Sequence, residues 1–318
     1  MLKRTITGAC FCAVIISFFL LREYVDYRIF QFLTAFLCAA ATFEVARAVK
    51  PFSAKGSFYV QAFYGITVIP LYCVFDYFVD GVKGYSVALI YCLLFLCINA
   101  LLVCFSKREK TDEVFSENND VNAAKEGVPH GKTIALFNKK SDLTYAVTSI
   151  FPVLYPSVLV FCMAAANDLA APKGFLALLT IFVGSCLTDT MAYLVGMTYS
   201  KIRKGKAKKM CPVLSPNKTI AGGIGGIIGG IVGGIIVFYV FYGKATEINF
   251  FSPLLLFIIV GFAAAILTQA GDLFESYIKR KAGIKDMGKI MPGHGGIMDR
   301  IDGISFASVA VFITFALV

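Results

Sequence analysis

The sequence predicts an all-α integral membrane protein, a polytopic bundle of about nine transmembrane helices. Hydrophobic residues make up 58% of its 318 residues and charged residues only 16%, and the mean hydropathy is +0.76. An ordinary soluble domain carries about 25% charged residues and cannot bury so much apolar surface. A disordered chain would not contain it. The third observation is a series of long apolar runs, which set the number of helices.

Runs of about 17–25 apolar residues mark spanning helices. They occur near 7–21, 29–46, 58–80, 85–105, 143–166, 174–198, 219–242, 251–271 and 304–318. The first run follows Lys3 and Arg4 and has the features of a signal peptide. No small-residue cleavage pattern comes after it, so we expect a retained helix.

The basic residues predict the orientation of these helices. Of the 30 Lys and Arg residues, 25 fall in the N-terminal segment and every second loop, and the other loops carry 5. Loops on the cytoplasmic side carry such an excess. We therefore expect the N-terminus inside and the C-terminus outside. The net charge of +10 suits anionic partners such as lipid head groups or nucleotides, and we expect no nucleic acid partner.

The chain divides into three regions. Residues 1–105 form N-terminal transmembrane helices, 106–142 a polar cytoplasmic loop without assigned chemistry, and 143–318 a C-terminal transmembrane catalytic region. Ten cysteines without a CxxC pair are interpreted as small core residues, and two histidines exclude a histidine-rich metal site. Glu44 and Asp76 lie near helix ends and are interpreted as structural.

Glycines recur every four residues between 222 and 234, in two sets that each share one helix face. Close helix packing and a phosphate-cradling loop are the two interpretations, and the spanning length with aliphatic neighbours favours packing. The partner helix can belong to this chain or to a second copy, which leaves a homodimer as a further expectation.

Asp189 is an ionisable residue inside the sixth run, with Tyr193 one turn further on the same face. An ionisable residue inside a membrane helix is costly to bury and is therefore a functional candidate. The alternative is a structural hydrogen bond within the bundle. Residues 215–219 precede the glycine run. There Ser215, Lys218 and Thr219 offer hydroxyls, an ammonium group and a helix N-terminus to an anion, although a simple N-cap would also use Ser or Thr.

The densest polar segment follows the eighth run, between residues 271 and 302. Its carboxylates, Asp272, Asp299 and Asp302, suit a hard cation such as Mg²⁺. Its basic residues include Lys279, Arg280 and Lys285, which are suited to neutralising phosphates. A basic patch for anionic lipid explains the lysines but not the three aspartates beside them.

This segment resembles a known family. Ser276-x-x-Lys279-Arg280-x4-Lys285-Asp286-x5-Pro292-x-His294-Gly295-Gly296-x2-Asp299-Arg300-x-Asp302 is similar to the signature of the phosphatidate cytidylyltransferases, the CDP-diacylglycerol synthases. Ser-Pro-x-Lys-Thr at 215–219, Gly271-Asp272 and the Asp189–Tyr193 element resemble it too. The resemblance covers roughly residues 180–318, and the N-terminal half matches only as a set of spanning helices.

The resemblance implies that CTP and phosphatidic acid react, with Mg²⁺, to give CDP-diacylglycerol and pyrophosphate at the cytoplasmic face, among membrane lipids. Together with the compact length of the chain, it suggests a bacterial plasma membrane location. It implies metal ligation by Asp272 and Asp299, and a polar pocket completed by Asp189 and Asp302. Nucleotide and phosphate contacts are implied for Ser215, Lys218, Thr219, Ser276, Lys279, Arg280, Lys285, His294 and Arg300. His294 remains open between a general base and a structural or phosphate-contacting residue.

Ala221 occupies a position where the family usually has an acidic residue. The role of that acidic residue is therefore filled by another group of this chain or is absent.

Two rival interpretations of the function remain. A transporter also fits nine helices and Asp189, but the charged residues gather at one membrane face and no inverted repeat is evident. A CTP-dependent polyprenol or phytol kinase would transfer the γ-phosphate instead, so the reaction product distinguishes it.

Overall fold

The computed structural model describes residues 2–106, 142–204, 207–212, 214–291 and 295–318. Nearly all of the predicted loop at 106–142 and the predicted site residue His294 lie outside these ranges. Within them, nine helical segments are long and apolar enough to cross a membrane, which confirms a polytopic membrane bundle. The predicted all-α architecture is confirmed, and the described residues add one short β-hairpin to it.

The helices follow the predicted runs closely. They are α1 (Leu2–Tyr24), α2 (Phe30–Val49), α3 (Ser57–Phe78), α4 (Gly84–Phe105), α5 (Asp142–Leu154), α6 (Ser157–Asn167), α7 (Lys173–Ile202), α8 (Ile220–Val240), α9 (Tyr242–Thr246), α10 (Pro253–Lys281) and α11 (Met298–Leu317). Short 3-10 helices cover Tyr27–Ile29 and Lys50–Phe52, and the hairpin strands are β1 (Lys209–Cys211) and β2 (Ser215–Thr219).

Three differences from the predicted runs stand out, and the last two affect site residues. The fifth run is not one helix but α5 and α6, which are separated near Pro156, a residue without the N–H that a continuous helix needs. Helix α10 continues beyond residue 271 to Lys281, and α11 begins at Met298 rather than near 304. Hydropathy marks the end of an apolar run, whereas the hydrogen-bonded helix continues into polar residues. The predicted carboxylates at 272, 299 and 302 therefore all lie on helices.

Helix α8 forms its contacts through the two glycine faces predicted from the sequence. Gly225 and Gly229 face α7, where an added Cβ would meet Val195 and the Leu187 carbonyl. Gly230 and Gly234 face α10. Both partner helices belong to the same chain, so close packing within the chain is the correct interpretation of the glycine pattern.

Replacement of Gly230 by Ala should weaken this packing. The new Cβ would lie 2.5 Å from Ala265 Cβ and 2.7 Å from the Gly261 carbonyl oxygen. Overpacking costs about 1–3 kcal/mol, which exceeds the gain of roughly 1 kcal/mol from helix propensity. We expect a lower thermal midpoint in detergent. Gly184→Ala is the matched control, because its Cβ would meet nothing within 4 Å; equal midpoints for both variants would contradict the packing argument.

Candidate active site

A cavity of about 420 Å³, with charged residues in its wall, lies where α7 ends and α8 begins. Four residues predicted for the site line it: Asp189, Lys218, Thr219 and Asp272. Tyr193, Asn217, Gly222, Gly223 and Gln269 also contribute to the wall. The structure therefore brings together residues from α7, β2 and α10 that are far apart in the sequence.

The hairpin determines how Lys218 and Thr219 enter the cavity. Strands β1 and β2 are antiparallel, with Lys209 opposite Thr219 and Cys211 opposite Ser215. Thr219 has an extended backbone and is the N-cap of α8, and its hydroxyl accepts the Gly222 N–H at 3.0 Å. The N-cap interpretation is thus correct for Thr219, and it places the positive end of α8 beside the cavity.

The cavity holds an ion pair between strand and helix. Lys218 Nζ lies 2.5 Å from Asp272 Oδ2, and both side chains are partly exposed, at 25% and 37%. The carboxylate of Asp189 is close enough to be repelled by Asp272 and attracted by Lys218 and Arg300. Asp302 is repelled by Asp272 and Asp189 in the same way. Asp189 and Asp272 therefore lie near Lys218 at the cavity, and Asp302 lies near these two carboxylates.

A second charged cluster is more deeply buried. Lys279 lies between two carboxylates, Glu275 one turn earlier on α10 and Asp299 on α11, whose Oδ1 is 2.8 Å from Lys279 Nζ. The Glu275 and Asp299 side chains are only 1% and 4% exposed. Glu275 was not predicted for the site, because its spacing of four residues from Lys279 on one helix is also that of an ordinary surface pair.

Both carboxylate oxygens of Asp299 are engaged. Oδ1 accepts from Lys279, and Oδ2 accepts the backbone N–H groups of Met287 at 2.9 Å and Gly296 at 2.7 Å. Gly295 has φ +89°, and a Cβ there would lie 2.7 Å from the same oxygen, so this turn requires glycine. The turn after α10 therefore closes around Asp299.

The donor set bears on the metal predicted at Asp272 and Asp299. Among the described residues, no group of three or more His, Cys, Asp or Glu has the geometry of a metal site. Mg²⁺ usually uses only one or two protein carboxylates and keeps several waters, so oxygen donors at the cavity still fit it. Asp272 and Asp302 have more free acceptor capacity than Asp299, since Asp302 accepts only the N–H of Gly303 among the described groups. The metal assignment stays a prediction.

The remaining predicted residues lie around these two clusters. Arg300 is exposed at the start of α11 and influences Asp189 electrostatically. The ion pairs and side-chain hydrogen bonds of the described residues do not join either cluster to Ser215, Ser276, Arg280 or Lys285. Gln269, which sequence analysis also missed, donates to the Gly223 carbonyl at 3.1 Å and holds α10 against the start of α8.

Two bacterial relatives of this chain are named for the same enzymatic activity. The chain is 40% identical over 129 residues to the phosphatidate cytidylyltransferase of Staphylococcus haemolyticus, covering 41% of this chain and 45% of that protein. It is 32% identical over 176 residues to the phosphatidate cytidylyltransferase of Thermotoga maritima, covering 54% and 59%. The matched part spans about half the length of these curated relatives.

The family comparison reaches further along the chain. The Cytidylyltransferase family profile matches residues 2–318, which includes the N-terminal helices that the sequence motifs left unassigned. This match and the cavity in which the motif residues meet lead to the same conclusion: the chain belongs to the cytidylyltransferase family.

Proposed function

We propose that this protein is a phosphatidate cytidylyltransferase, which transfers the cytidylyl group of CTP to phosphatidic acid and releases pyrophosphate. The observation that carries the proposal is the meeting of Asp189, Lys218, Thr219 and Asp272 in one cavity of a cytidylyltransferase-family chain. The names of the staphylococcal and Thermotoga relatives support phosphatidate as the acceptor.

The chemistry requires a site of this kind. A phosphatidate oxygen forms a bond to the α-phosphorus of CTP while the bond from that phosphorus to the α–β bridging oxygen breaks, and this oxygen leaves with pyrophosphate. Both reactants are anionic, so their repulsion is the first barrier, and fixed positive groups lower it. Lys218 and the N-terminus of α8 supply such groups at the cavity. Phosphatidate is already ionised at neutral pH, so a strong general base is unnecessary.

Magnesium is part of the proposal. Asp272 and a second carboxylate would hold the ion. The resemblance implies Asp299 as the second ligand, whereas the unused acceptor oxygens of Asp302 favour Asp302. Bound there, it would supply positive charge against the phosphates. The chain itself contributes Lys218, which attracts phosphate oxygens, and Asp189, which lies close enough to attract Lys218.

We further propose that the cavity opens on the cytoplasmic side of a plasma membrane, with the N-terminus inside and the C-terminus outside. The distribution of Lys and Arg supports this orientation. CTP is a cytosolic solute, whereas the acyl chains of phosphatidate stay in the bilayer, so a site at that face reaches both. Cysteine accessibility at Lys83→Cys and Lys209→Cys in intact cells tests it; labelling of residue 209 but not 83 from outside would contradict the orientation.

A homodimer is also proposed. The two glycine faces of α8 do not support it, because both pack against other helices of the same chain. The exposed stripe of α8, which consists of Ile224, Ile228, Val232 and Ile236, is suited to contact with membrane lipids. The mass of the detergent-solubilised protein, measured by light scattering, decides between one and two copies.

Product analysis tests the proposed activity. Purified protein in detergent receives phosphatidate, Mg²⁺ and CTP that carries a label on either the α- or the γ-phosphate. Transfer of the α-label to lipid with release of pyrophosphate is the expected result. Transfer of the γ-label to an added polyprenol would indicate a lipid kinase. Failure to transfer either label, beside an active relative, would contradict the proposal.

Lys218→Ala should weaken the use of CTP. The variant loses the ammonium group that the cavity offers to phosphates and leaves Asp272 without its ion-pair partner. One charge-assisted contact contributes about 1.5–3 kcal/mol, so we expect kcat/KM for CTP to fall roughly 10–100-fold. Lys209→Ala, on the neighbouring strand of the hairpin, is the control. An unchanged dependence on CTP concentration would remove Lys218 from the nucleotide site.

A further inference from the structure

The turn between α10 and α11 contacts Asp299 through its described residues. Two of its backbone N–H groups, from Met287 and Gly296, hold Asp299 Oδ2. Within residues 282–291 and 295–297, strand-like pairing is limited to one isolated bridge between Met291 and Gly295. Side chains from another helix also contact this described part of the turn.

Glu44 supplies this support from the N-terminal half of the chain. Its side chain lies on α2 and is fully buried. Oε2 accepts the Met298 N–H at 2.9 Å and Oε1 accepts the Ile297 N–H at 3.2 Å. These donors belong to the start of α11, where the first N–H groups have no helical partner and Ile297 provides no side-chain cap.

The fit around this carboxylate is tight. Gly288 and Gly296 lie against it, and a Cβ at either position would collide with the Glu44 carboxylate. One turn further along α2, Arg47 donates to the Met287 carbonyl at 3.2 Å. Helix α2 thus contacts the turn at both ends, near Met287 through Arg47 and at 296–298 through Glu44. These are the same ends whose N–H groups hold Asp299.

A negative charge at this place has a clear electrostatic function. The N-terminus of α11 carries partial positive charge, which an anionic side chain stabilises. Glu44 and Asp299 occupy neighbouring positions there, and they repel each other. Because Glu44 takes the N–H groups of Ile297 and Met298, the Gly296 N–H remains for Asp299 and the two carboxylates do not compete for donors.

We propose that Glu44 is a positioning residue for the transfer reaction, which holds the α10–α11 turn in the shape that orients Asp299 and Lys279. The role in turnover rests on the proposed function, whereas the role in holding the turn does not. The interpretation of Glu44 as a merely structural residue at a helix end is thereby extended: its N-terminal helix is a part of the site.

The kinetic experiment compares Glu44→Ala, Glu44→Gln and the control Gln31→Ala. Gln31 is also a buried polar residue of α2, and its amide donates to the Ala164 carbonyl at 3.0 Å, away from the turn. We expect Glu44→Ala to lower kcat at least tenfold with a smaller change in KM for CTP. Glu44→Gln keeps one acceptor oxygen and should recover part of the loss, whereas Gln31→Ala should keep kcat within twofold even if its thermal midpoint falls.

A second measurement does not depend on activity. Hydrogen exchange of the peptide that covers residues 287–298 should accelerate in Glu44→Ala and stay unchanged in Gln31→Ala. Unchanged exchange in Glu44→Ala would overturn the role in holding the turn, and equal kcat losses in Glu44→Ala and Gln31→Ala would overturn the positioning role. A wild-type protein without CDP-lipid product would instead overturn the proposed function, and the exchange result would still decide what Glu44 does to the turn.

Discussion

Asp299→Asn is expected to reduce turnover by about 10²–10³-fold or more, a loss comparable with removal of a key polar group from an enzyme site. An amide has one acceptor oxygen, whereas Asp299 uses both oxygens, one toward Lys279 and one toward two backbone N–H groups. In either orientation the NH₂ group would face a donor. Lys279 would keep only Glu275, and breaking a buried pair costs about 3–5 kcal/mol. Steady-state turnover with labelled CTP measures the effect.

Asp168→Asn is the matched control for this variant. Asp168 is a carboxylate at the other end of the bundle, and it accepts hydrogen bonds from Tyr72, Tyr77 and Asn167. Both of its carboxylate oxygens accept hydrogen bonds, as those of Asp299 do, so Asp168→Asn makes the same chemical change outside the two charged clusters. The control should keep its turnover. If Asp299→Asn were as active as Asp168→Asn, Asp299 would have no part in the reaction.

Asp272→Asn is expected to have an effect of similar size through a different cause. The variant removes a negative charge from the cavity and converts the Lys218 ion pair into a weaker hydrogen bond. If Asp272 holds Mg²⁺, turnover should fall by about 10²-fold or more and the concentration of Mg²⁺ needed for the remaining activity should rise. Turnover measured across a Mg²⁺ titration provides both quantities, and full activity would contradict the metal assignment.

A double variant separates the two roles of Asp272. If it only orients Lys218, then Asp272→Asn should add little in a Lys218→Met background, since its partner is already absent. If it binds the metal, the loss should persist in that background. Lys218→Met alone provides the remaining comparison. If this single variant also needs more Mg²⁺, the higher Mg²⁺ requirement arises from the changed charge of the cavity and not from a loss of metal binding by Asp272.

Much of the site was predictable because its residues lie in short, dense motifs. Asp189, Lys218, Thr219 and Asp272 were chosen from the sequence, and they line one cavity. Glu275 was missed although it lies in the same segment, because a glutamate one turn before a lysine on a helix is usually a surface pair. Only its burial distinguishes it, and burial depends on what packs against that face.

The sequence by itself determined the number of spanning segments, the family and the two glycine faces of α8. These properties are local: an apolar run of sufficient length has few alternatives in a membrane, and motif spacing needs no knowledge of the fold. The tertiary structure alone decided that Glu44 contacts the start of α11, 253 residues further along the chain. It also decided that Lys279 lies between Glu275 and Asp299. A buried charge takes its partner from whichever helix packs beside it, and that choice arises from packing between distant segments.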